Sequence, residues 1–557
     1  MKSEIPPLAT ALAALTILFS CPLQSHAANP SPSASPAPAS ASQGATVQAP
    51  APEPTLYIRE YRVNGVHKLT NLEVGQAVYP FLGPERTRED VEKARQALEK
   101  IYQSKGFNSV SVIVPPQQVK QGVITLEAVE RKVGRLRVNG ARYFSPDKIK
   151  RQATSLAEGT VPDFSDNGPV ARDIVGLNQL ADRRVTPVLR PGQTPDTVDI
   201  DLNVKDSPPV HGSVELNNRY SANTKPMRLN GSISDSDLFQ SGQTAGFSFQ
   251  IAPQRLSDAE VFSAYYLARF PDLNWLSLMF IGTKQDSDIS SLGGSDVVGK
   301  GENIGLRAII NLPSISYGTP GEGFYQSVTF GIDYKHYNQD LTLGGSTIST
   351  PTTYYPLSAN YNANWALKGN STEADLGVTF NIRGLGSGLT ELNNSRFHAG
   401  GDFLYVRGDL SHTHDLPGGF QAYGKLQGQL SDQPLLNSEQ ISGGGLATVR
   451  GYLESTVLGD NGIFASAELR TPSLGFWSHG HVQDWRFYVF GDWGTVSIID
   501  PLPEQQAAFT LASFGFGMKM KVLDYLNGSL DFGLPLISQG PVRPYDPLLT
   551  FRVWAEF

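Results

Sequence analysis

An arginine motif in the C-terminal half of the chain has the residue types that could attach a loop to a β-strand. Val449-Arg450-Gly451-Tyr452 lies within roughly residues 431–461, the longest stretch of that half without a strand pattern. Phe490-Gly491-Asp492-Trp493-Gly494 follows later in the chain, within a clear strand pattern. A guanidinium donates two parallel hydrogen bonds to a carboxylate, which fixes orientation as well as position. A barrel-strand aspartate that receives this arginine would indicate a loop folded into a pore.

The other residues of the arginine motif suit a tight contact. Gly451 permits close backbone approach, and Tyr452 combines an aromatic ring with a polar tip. A loop of about 30 residues has a large ordering entropy, so a fixed position inside a pore requires strong contacts. The alternative interpretation is an exposed loop arginine and an unrelated aspartate, since exposed ion pairs contribute little.

Strand patterns fill the chain from residue 210 onward. Apolar and polar residues that alternate between turn signals predict about 16 strands of about 10 residues, the length that a tilted membrane strand needs. The predicted strands include 259–269, 275–285, 324–337, 373–383, 397–411 and 509–522. The predicted fold class is a membrane all-β barrel of about 16 antiparallel strands, preceded by two small α+β domains. A large soluble β-sandwich has a similar composition and is the alternative.

The connections between the predicted strands alternate in length. Short ones are predicted at 368–370, 414–418 and 523–524, and longer ones near 289–298, 341–352 and 384–394. Short turns on one side and long loops on the other are typical of outer-membrane barrels, whose short turns face the periplasm. The N-terminal part of the chain is therefore predicted to be periplasmic.

The last ten residues form a strand with one apolar face. The apolar face carries Leu549, Phe551, Val553, Ala555 and Phe557, and most of the other face consists of Thr550, Arg552 and Glu556. An arginine belongs on the lumen side, because exposure to lipid at mid-depth costs about 2–4 kcal/mol. A chain that ends on phenylalanine in such a strand resembles the terminal recognition strand of bacterial outer-membrane barrels. Phe551, Val553 and Phe557 are therefore a candidate assembly signal.

The first 27 residues have the features of a secretory signal peptide. The apolar run 8–19 is too short to span a bilayer, and Ser25-His26-Ala27 fits a cleavage site. A buried N-terminal helix and lipidation at Cys21, the only cysteine, are the alternatives. Cleavage would leave no cysteine, so no disulfide framework is expected. Residues 28–54, rich in Ala, Pro and Ser, are predicted to form a semi-extended linker.

Two repeats follow the linker, at 55–131 and 132–207. Tyr61-Arg62-Val63-Asn64-Gly65 and Leu136-Arg137-Val138-Asn139-Gly140 share the residues R-V-N-G. Each copy has the pattern of a strand, two helices and two strands, with one of the helices of the second copy predicted over 170–181. Each repeat is close to the smallest size that supports its own core. A chance match of four residues is the alternative, and the shared order of elements argues against it.

The net charge of −8 is divided unevenly along the chain. Residues 55–206 carry 23 basic and 19 acidic side chains, whereas residues 207–557 carry 21 and 32. A mildly basic front part and an acidic back part indicate two different roles. Neither part has the dense basic face of a nucleic-acid binder, so no nucleic-acid partner is expected.

No enzyme chemistry is predicted from the sequence. His412 and His414 resemble metal ligands, but no further cluster of histidines or carboxylates supports them. Residues 384–388 are rich in glycine but lack the lysine and the strand–helix context of a phosphate loop. No nucleophile motif stands between a strand and a helix. We therefore expect no catalytic residue, no metal and no cofactor.

The order of these features resembles the TpsB family of two-partner secretion transporters, also called the hemolysin secretion/activation family. The resemblance covers nearly all of the chain after the signal peptide, with two domains that resemble POTRA domains before the barrel. Its most specific points are Val449-Arg450-Gly451-Tyr452 and the F-x-D-x-G pattern of Phe490, Asp492 and Gly494. In the family, the sixth long loop folds into the lumen and its arginine pairs with this aspartate. The resemblance implies the pair Arg450 with Asp492.

The resemblance also implies a function and partners. Family members lie in the Gram-negative outer membrane and export one large exoprotein, of hemolysin or adhesin type, in an unfolded state. An extended client would pair with an edge strand, predicted at 122–129, or lie on the helix 89–105. The implied partners are a TpsA-like exoprotein, membrane lipid and the barrel assembly machinery, with the transporter as a monomer. An outer-membrane assembly factor and a passive porin are the alternatives.

The linker departs from the family pattern. Structurally known members have an N-terminal helix that plugs the barrel, whereas residues 28–54 contain too much proline for a stable helix. The pore is then expected to be occluded by the loop that carries Arg450, or to leak.

Overall fold

The computed structural model describes residues 55–557 apart from residues 120, 166–167, 271–272, 274, 293–294, 318–320, 344–345, 476–480 and 504. The predicted signal peptide, the linker and Cys21 lie outside the described residues. Two α+β modules are followed by a closed β-barrel.

The first module packs two helices against a three-stranded sheet. Its elements are β1 (Leu56–Ile58), β2 (Glu60–Asn64), α1 (Asn71–Val78), β3 (Gly83–Arg86), α2 (Arg88–Ser104), β4 (Val110–Ile113) and β5 (Val123–Glu130). The sheet order is β2-β5-β4, and β1 pairs separately with β3. Capping boxes at Thr70 and Thr87 begin the two helices. The apolar face of α2 enters the core through Val91, Ala94, Leu98 and Tyr102.

The second module repeats this plan with shorter helices. Its elements are β6 (Lys132–Asn139), α3 (Pro146–Gln152), α4 (Pro169–Leu177), β7 (Arg183–Pro191) and β8 (Thr197–Asp206), and its sheet order is β6-β8-β7. The helix predicted over 170–181 ends earlier, because the side chain of Asn178 forms hydrogen bonds of 2.6 and 3.1 Å with the backbone of Val185. None of the described helices has the length and apolarity needed to cross a membrane.

The glycines of the two R-V-N-G segments have the same structural role. Gly65 and Gly140 lie at positive φ, 76° and 85°, directly after β2 and β6. A Cβ atom on Gly65 would lie 2.4 Å from the carbonyl oxygen of Ala128, and one on Gly140 would lie 2.5 Å from that of Val204. Glycine lets the chain pass this close to the neighbouring strand, which explains its presence in both copies.

The structure corrects the edge strand predicted at 122–129. Most of this segment belongs to β5, which pairs in parallel with β2 on one side and antiparallel with β4 on the other. It is therefore the central strand, and β8 is central in the second module for the same reason. The prediction was wrong because residue alternation identifies a strand without identifying its neighbours.

A closed antiparallel barrel of 16 strands follows the modules. The strands after β8 are β9 (Val210–Asn217), β10 (Arg228–Leu238), β11 (Gln243–Ile251), β12 (Ala259–Arg269), β13 (Leu276–Leu292), β14 (Ser295–Asn311), β15 (Ile315–Ser316), β16 (Gly323–Leu343), β17 (Ser346–Tyr354), β18 (Leu357–Leu367), β19 (Asn370–Phe380), β20 (Leu404–Asp415), β21 (Gln421–Ser431), β22 (Ile441–Gly443), β23 (Val457–Gly459), β24 (Asn461–Arg470), β25 (Val482–Ser497), β26 (Ala508–Val522), β27 (Leu526–Pro535) and β28 (Leu548–Glu556). All of them except β15, β17, β22 and β23 form the ring. The predicted fold class is confirmed.

The ring closes between its first and last strands, β9 and β28. On the inner face, Arg552 of β28 binds Glu215 of β9 through Nε (3.0 Å) and Nη2 (2.7 Å). On the outer face, Leu549 and Val553 are about half exposed. Polar residues inside and apolar residues outside are the arrangement that a barrel in lipid requires.

Two of the three predicted long loops are mainly strand. Strands β13 and β14 stay paired through most of 289–298, and β16 and β17 stay paired through most of 341–352. Paired strands that continue beyond the bilayer are joined by backbone hydrogen bonds and need no apolar alternation, so their sequences resemble loops. The third, 384–394, contains the short helix α5 (Leu389–Ser395), and β20 begins later than the predicted 397–411.

Candidate functional site in the barrel lumen

The loop that carries the arginine motif folds into the barrel. It spans residues 432–460 between β21 and β24 and contains the hairpin of β22 and β23, which the sequence pattern did not indicate. Val449 and Tyr452 are buried against side chains of β24 to β26 such as Phe464 and Leu511. Phe464 is on the inner face, because its neighbour Ile463 points outward and is 41% exposed, and Leu511 is on the side of β26 opposite to the exposed Phe514 and Phe516. We call this segment, residues 432–460, the lumenal loop.

Arg450 makes a bidentate contact with Asp492. Its Nε lies 2.8 Å from Oδ2 of Asp492, and its Nη2 lies 2.8 Å from Oδ1. The backbone N–H of Arg450 also donates to Oδ2, at 3.0 Å. Both residues are nearly buried, with 7% of Arg450 and 4% of Asp492 exposed. Removal of either partner would therefore leave a buried charge with incomplete compensation.

Two further carboxylates complete the site, and sequence reasoning did not identify them. Nη1 of Arg450 lies 2.6 Å from Oε1 of Glu468 on β24 and 3.6 Å from Oδ1 of Asp531 on β27. Arg470 also binds Glu468, at 2.7 and 2.8 Å, and the hydroxyl of Tyr488 donates to Asp531 at 2.6 Å. The alternation of residues along the strands predicts that Glu468 and Asp531 lie on inner faces. It does not predict which charged side chains form a contact.

Phe490 and Gly494, the other residues of the F-x-D-x-G pattern, have different roles: Phe490 contacts Arg450, and Gly494 leaves space for a side chain. The guanidinium carbon of Arg450 lies 3.6 Å from the ring centroid of Phe490, which is a cation–π contact. A Cβ atom on Gly494 would lie 2.0 Å from the ring of Phe464. Gly494 therefore leaves room for Phe464, which packs against the lumenal loop.

Gly451 and Tyr452 attach the lumenal loop to β26, to β27 and to the residues that follow β27. Gly451 has a φ of +86°, and a Cβ atom there would lie 3.0 Å from the carbonyl carbon of Gly533. The hydroxyl oxygen of Tyr452 lies 2.7 Å from the carbonyl oxygen of Ile537 and 3.0 Å from that of Ala512. The hydrogen bonds of Tyr452 therefore add to the ion pairs of Arg450 in holding this part of the lumenal loop against the barrel.

Acidic residues of the lumenal loop form further ion pairs that the sequence did not reveal. Glu454 accepts a hydrogen bond from Nε of Arg219, in the connection after β9, at 2.7 Å. Asp460 accepts one from Nη2 of Arg396, directly after α5, at 3.3 Å. The loop is thus attached to other extracellular connections as well as to the wall.

The candidate assembly-signal residues lie away from Arg450. Phe551, Val553 and Phe557 alternate along the outer side of the last strand, and Val553 is 47% and Phe557 76% exposed. Phe557 exchanges two backbone hydrogen bonds with Gly212, at 3.0 and 3.1 Å. They therefore lie on the lipid side of the ring closure.

The histidines that resemble metal ligands make other contacts. Nδ1 of His412 lies 2.8 Å from Oγ1 of Thr372, and the His412 ring stacks on that of His414. In the part of the chain that the structure describes, no group of three or more His, Cys, Asp or Glu side chains is placed to hold a metal ion.

Comparison with protein families gives two matches. Residues 327–520 match the family described as haemolysin secretion/activation protein ShlB/FhaC/HecB, and residues 56–130 match the POTRA domain of ShlB type. The first match contains both Arg450 and Asp492. The two matches confirm the resemblance of this chain to the TpsB family.

Relatives of this chain include named transporters. The outer membrane transporter CdiB of Dickeya dadantii is 22% identical over 522 residues, which cover 90% of this chain and 87% of CdiB. The heme/hemopexin transporter protein HuxB of Haemophilus influenzae is 21% identical over 411 residues, which cover 72% and 69%. Among solved structures, CdiB from Escherichia coli aligns with a TM-score of 0.63 at 20% identity, covering 92% of this chain and 93% of that chain.

The chain is an outer-membrane transporter of two-partner secretion, with its POTRA domains on the periplasmic side. The location predicted from the alternating turn lengths is confirmed. Members of the family are transporters rather than enzymes.

Proposed function

We propose that this transporter recognises one large exoprotein, of hemolysin or adhesin type, and moves it unfolded from the periplasm to the cell surface. The observation that carries the proposal is the lumenal loop, which Arg450 joins to β24, β25 and β27 inside a closed ring. A passive porin needs no buried anchor of this kind. Two periplasmic domains in front of the barrel suit the capture of a client chain.

An extended client segment would pair with a free edge of a POTRA sheet. In the described pairings, β7 has one partner, β8, and Asn178 occupies the outer edge of β7 only at Val185. Beyond this point the outer edge of β7 has no described strand partner. Leu189 can both donate and accept main-chain hydrogen bonds there, whereas Pro187 and Pro191 can only accept them, and Val188 and Leu189 are 36% and 41% exposed. In the first domain the outer edge of β4 and the helix α2 are the corresponding surfaces. Main-chain pairing makes few demands on client sequence, which suits a long chain that passes in segments.

The chain divides accordingly into a signal peptide at 1–27, a linker at 28–54, POTRA domains at 55–131 and 132–207, and the barrel at 208–557. The last two boundaries are supported by the sheets, because no pairing between the described strands crosses residue 131 or 207.

The lumenal loop is the obstruction that the client must pass. A plug helix is not expected from the proline-rich residues 28–54, which lie outside the described residues. The client would enter as the tip around Arg450 leaves the wall. No nucleotide is available in the periplasm, so folding of the client outside the cell would bias the direction of transit.

Further partners follow from the outer-membrane location. Lipid covers the apolar outer faces of the strands, and the barrel assembly machinery reads Phe551, Val553 and Phe557 during biogenesis. The transporter acts as a monomer, without a nucleic-acid partner or a cofactor.

Deletion of the gene tests the proposed function. One large protein should disappear from the culture supernatant and return when the gene is supplied on a plasmid, while other outer-membrane proteins keep their amounts. A general loss of outer-membrane proteins would identify an assembly factor. An unchanged supernatant with altered uptake of small solutes would identify a porin, and either of these results would overturn the proposal.

A further inference from the structure

We propose that Glu439 is a positioning residue that anchors the base of the lumenal loop, separately from Arg450 at its tip. The base comprises β22, β23 and the residues that flank them, and the tip comprises residues 446–454. The role of this second anchor in transport rests on the proposed function, whereas the anchoring itself does not.

The carboxylate of Glu439 is enclosed by three donors from the barrel side. Its Oε1 accepts a hydrogen bond from the hydroxyl of Tyr354 (2.7 Å) and pairs with Lys335, and its Oε2 accepts one from the hydroxyl of Tyr405 (2.8 Å). The donors come from β17, β16 and β20. The carbonyl oxygen of Glu439 also accepts from Nε2 of Gln429, at 3.1 Å. Glu439 is thus bonded through its side chain and its backbone.

Because Glu439 and its partners are buried, loss of any of these contacts would be costly, and the contacts therefore fix the position of the loop. Only 2% of Glu439 is exposed, and 14% of the side chain of Lys335. A buried carboxylate is tolerated when its charge and its lone pairs are matched, and loss of one partner leaves the other charge uncompensated. The base therefore has one favourable place on the wall.

The two anchors have opposite charge and hold different parts of the ring. Arg450 brings a cation to the acidic residues of β24, β25 and β27, whereas Glu439 brings an anion to the lysine and phenols of β16, β17 and β20. The lumenal loop leaves the ring between β21 and β24, so the anchors lie on either side of its attachment. A displaced loop cannot exchange the two sites, because each charge would meet its own sign.

Two glycines, Gly444 and Gly445, follow β22 and join the base to the tip. Gly444 and Gly445 lie at φ values of +106° and +90°. On the other branch of the loop, Asp460 holds the base through the backbone N–H of Leu435, at 2.9 Å. The base is therefore tied together and to the wall, while glycine joins it to the tip with few limits on backbone rotation. The tip can leave Asp492 while the base stays in place.

Spin labelling of the full-length transporter tests the separate anchoring without a client. Cys21 lies in the predicted signal peptide, so a nitroxide can be attached at Asn437→Cys in the base or at Ala447→Cys in the tip. Glu439→Gln should increase label mobility at position 437, and Arg450→Gln should increase it at position 447. Neither substitution should change the mobility of the label at the other position. An equal response of both labels to either change would overturn the proposal, as would an immobile base label in Glu439→Gln.

Secretion of the exoprotein tests the consequence for transport. Glu439→Gln and Lys335→Met should each reduce secretion about fivefold or more, in barrels whose heat-modifiable mobility on gels shows that they are folded. The double variant should secrete at least as much exoprotein as whichever single variant secretes less, because both changes break the same contact. Asp402→Asn, which removes an exposed ion pair with Arg383, should secrete as wild type.

The two experiments separate the second anchor from the proposed function. Normal secretion by Glu439→Gln would overturn its positioning role in transport, and strictly additive losses in the double variant would overturn the direct pairing. If deletion of the whole gene leaves the supernatant unchanged, the proposed function fails, and the spin labels still decide whether base and tip are held separately.

Discussion

Arg450 uses all three side-chain nitrogens inside the barrel. Nε and Nη2 bind Asp492, Nη1 binds Glu468, and Nη2 also binds the hydroxyl of Ser466 at 3.0 Å. A lysine ammonium has no planar fork and cannot reproduce this set of directions. The contact therefore depends on the shape of the guanidinium as well as on its charge.

Asp492→Asn should reduce secretion of the exoprotein about tenfold or more in correctly inserted barrels. The amide removes the carboxylate charge and leaves Arg450 buried with incomplete compensation. Secreted client measured per folded barrel checks this. Exchange of the two residues is not expected to restore secretion, because a carboxylate at position 450 would face Glu468 and Asp531. Full recovery in the exchanged variant would show that these two acids do not contribute.

Gly494→Ala should destabilise the barrel by about 1–3 kcal/mol, because the added methyl group would overlap the ring of Phe464. The measurement is the temperature at which heat-modifiable mobility is lost. Gly491→Ala is the matched control on the same strand, since a Cβ atom there meets nothing within 4 Å. Equal thermal behaviour of the two variants would contradict the steric role of Gly494.

At the scale of elements, the two POTRA domains use their final strands in the same way. Oε1 of Glu130, at the end of β5, accepts hydrogen bonds from the backbone N–H groups of His67 (2.8 Å) and Lys68 (2.9 Å). Asp206, at the end of β8, accepts from three consecutive backbone N–H groups that begin at Arg142. In both domains an acid on the last strand thus fixes the turn that follows R-V-N-G.

The stability of the first POTRA domain should fall in acid because of Glu130. Burial acts to raise the pKa of Glu130, but hydrogen bonds from the N–H of His67, the hydroxyl of Tyr102 and the N–H of Lys68 lower this pKa by more. A lowered pKa stabilises the domain above the pKa of the unfolded state, and this contribution is lost as the pH falls through the folded pKa. Hydrogen exchange of the β5 amides should be faster in Glu130→Gln than in wild type at pH 7, with the difference vanishing in strong acid. Equal exchange at pH 7 would refute this role.

The elements show why part of the fold could be predicted from the sequence. Period-2 alternation gave the number of barrel strands, and the R-V-N-G repeat gave the two domains, because both signals are local. Strand order is not local, so β5 at 122–129 was placed at an edge although β2 and β4 both pair with it. Arg450 and Asp492 stood out by their motifs. Glu439 and Glu468 did not, because the sequence does not show which acid of a loop or of an inner strand face has a buried partner.

At the scale of the whole molecule, the second POTRA domain is attached to the first periplasmic turn of the barrel. Gln240, between β10 and β11, accepts a hydrogen bond from the N–H of Ser145 (2.8 Å) and donates to the carbonyl oxygen of Tyr143 (2.7 Å). Asp182 accepts from the hydroxyl of Ser236 at 2.6 Å and lies 2.9 Å from Nε2 of His211. These contacts set the direction in which a bound client would approach the pore.

Gln240→Ala should widen the range of orientations between the second POTRA domain and the barrel, because it removes both side-chain hydrogen bonds of Gln240 to that domain. The hydrogen bond from Lys148 to the carbonyl oxygen of Gln240 is retained. Distances between spin labels on the two parts should become more broadly distributed, and secretion should fall. Gln421→Ala is the control, since Gln421 binds Asp415 within another periplasmic turn. Unchanged distance distributions in Gln240→Ala would contradict the attachment.

Secretion by variants at position 450 tests the role of the anchored loop most directly. Arg450→Ala should reduce secreted exoprotein about tenfold or more, and Arg450→Lys nearly as much, in barrels that insert and fold normally. Arg383→Ala, which removes an exposed ion pair with Asp402 and a hydrogen bond to the carbonyl oxygen of Gly400, should secrete as wild type. Wild-type secretion by Arg450→Ala would contradict the claim that transport depends on the contact between Arg450 and the barrel wall.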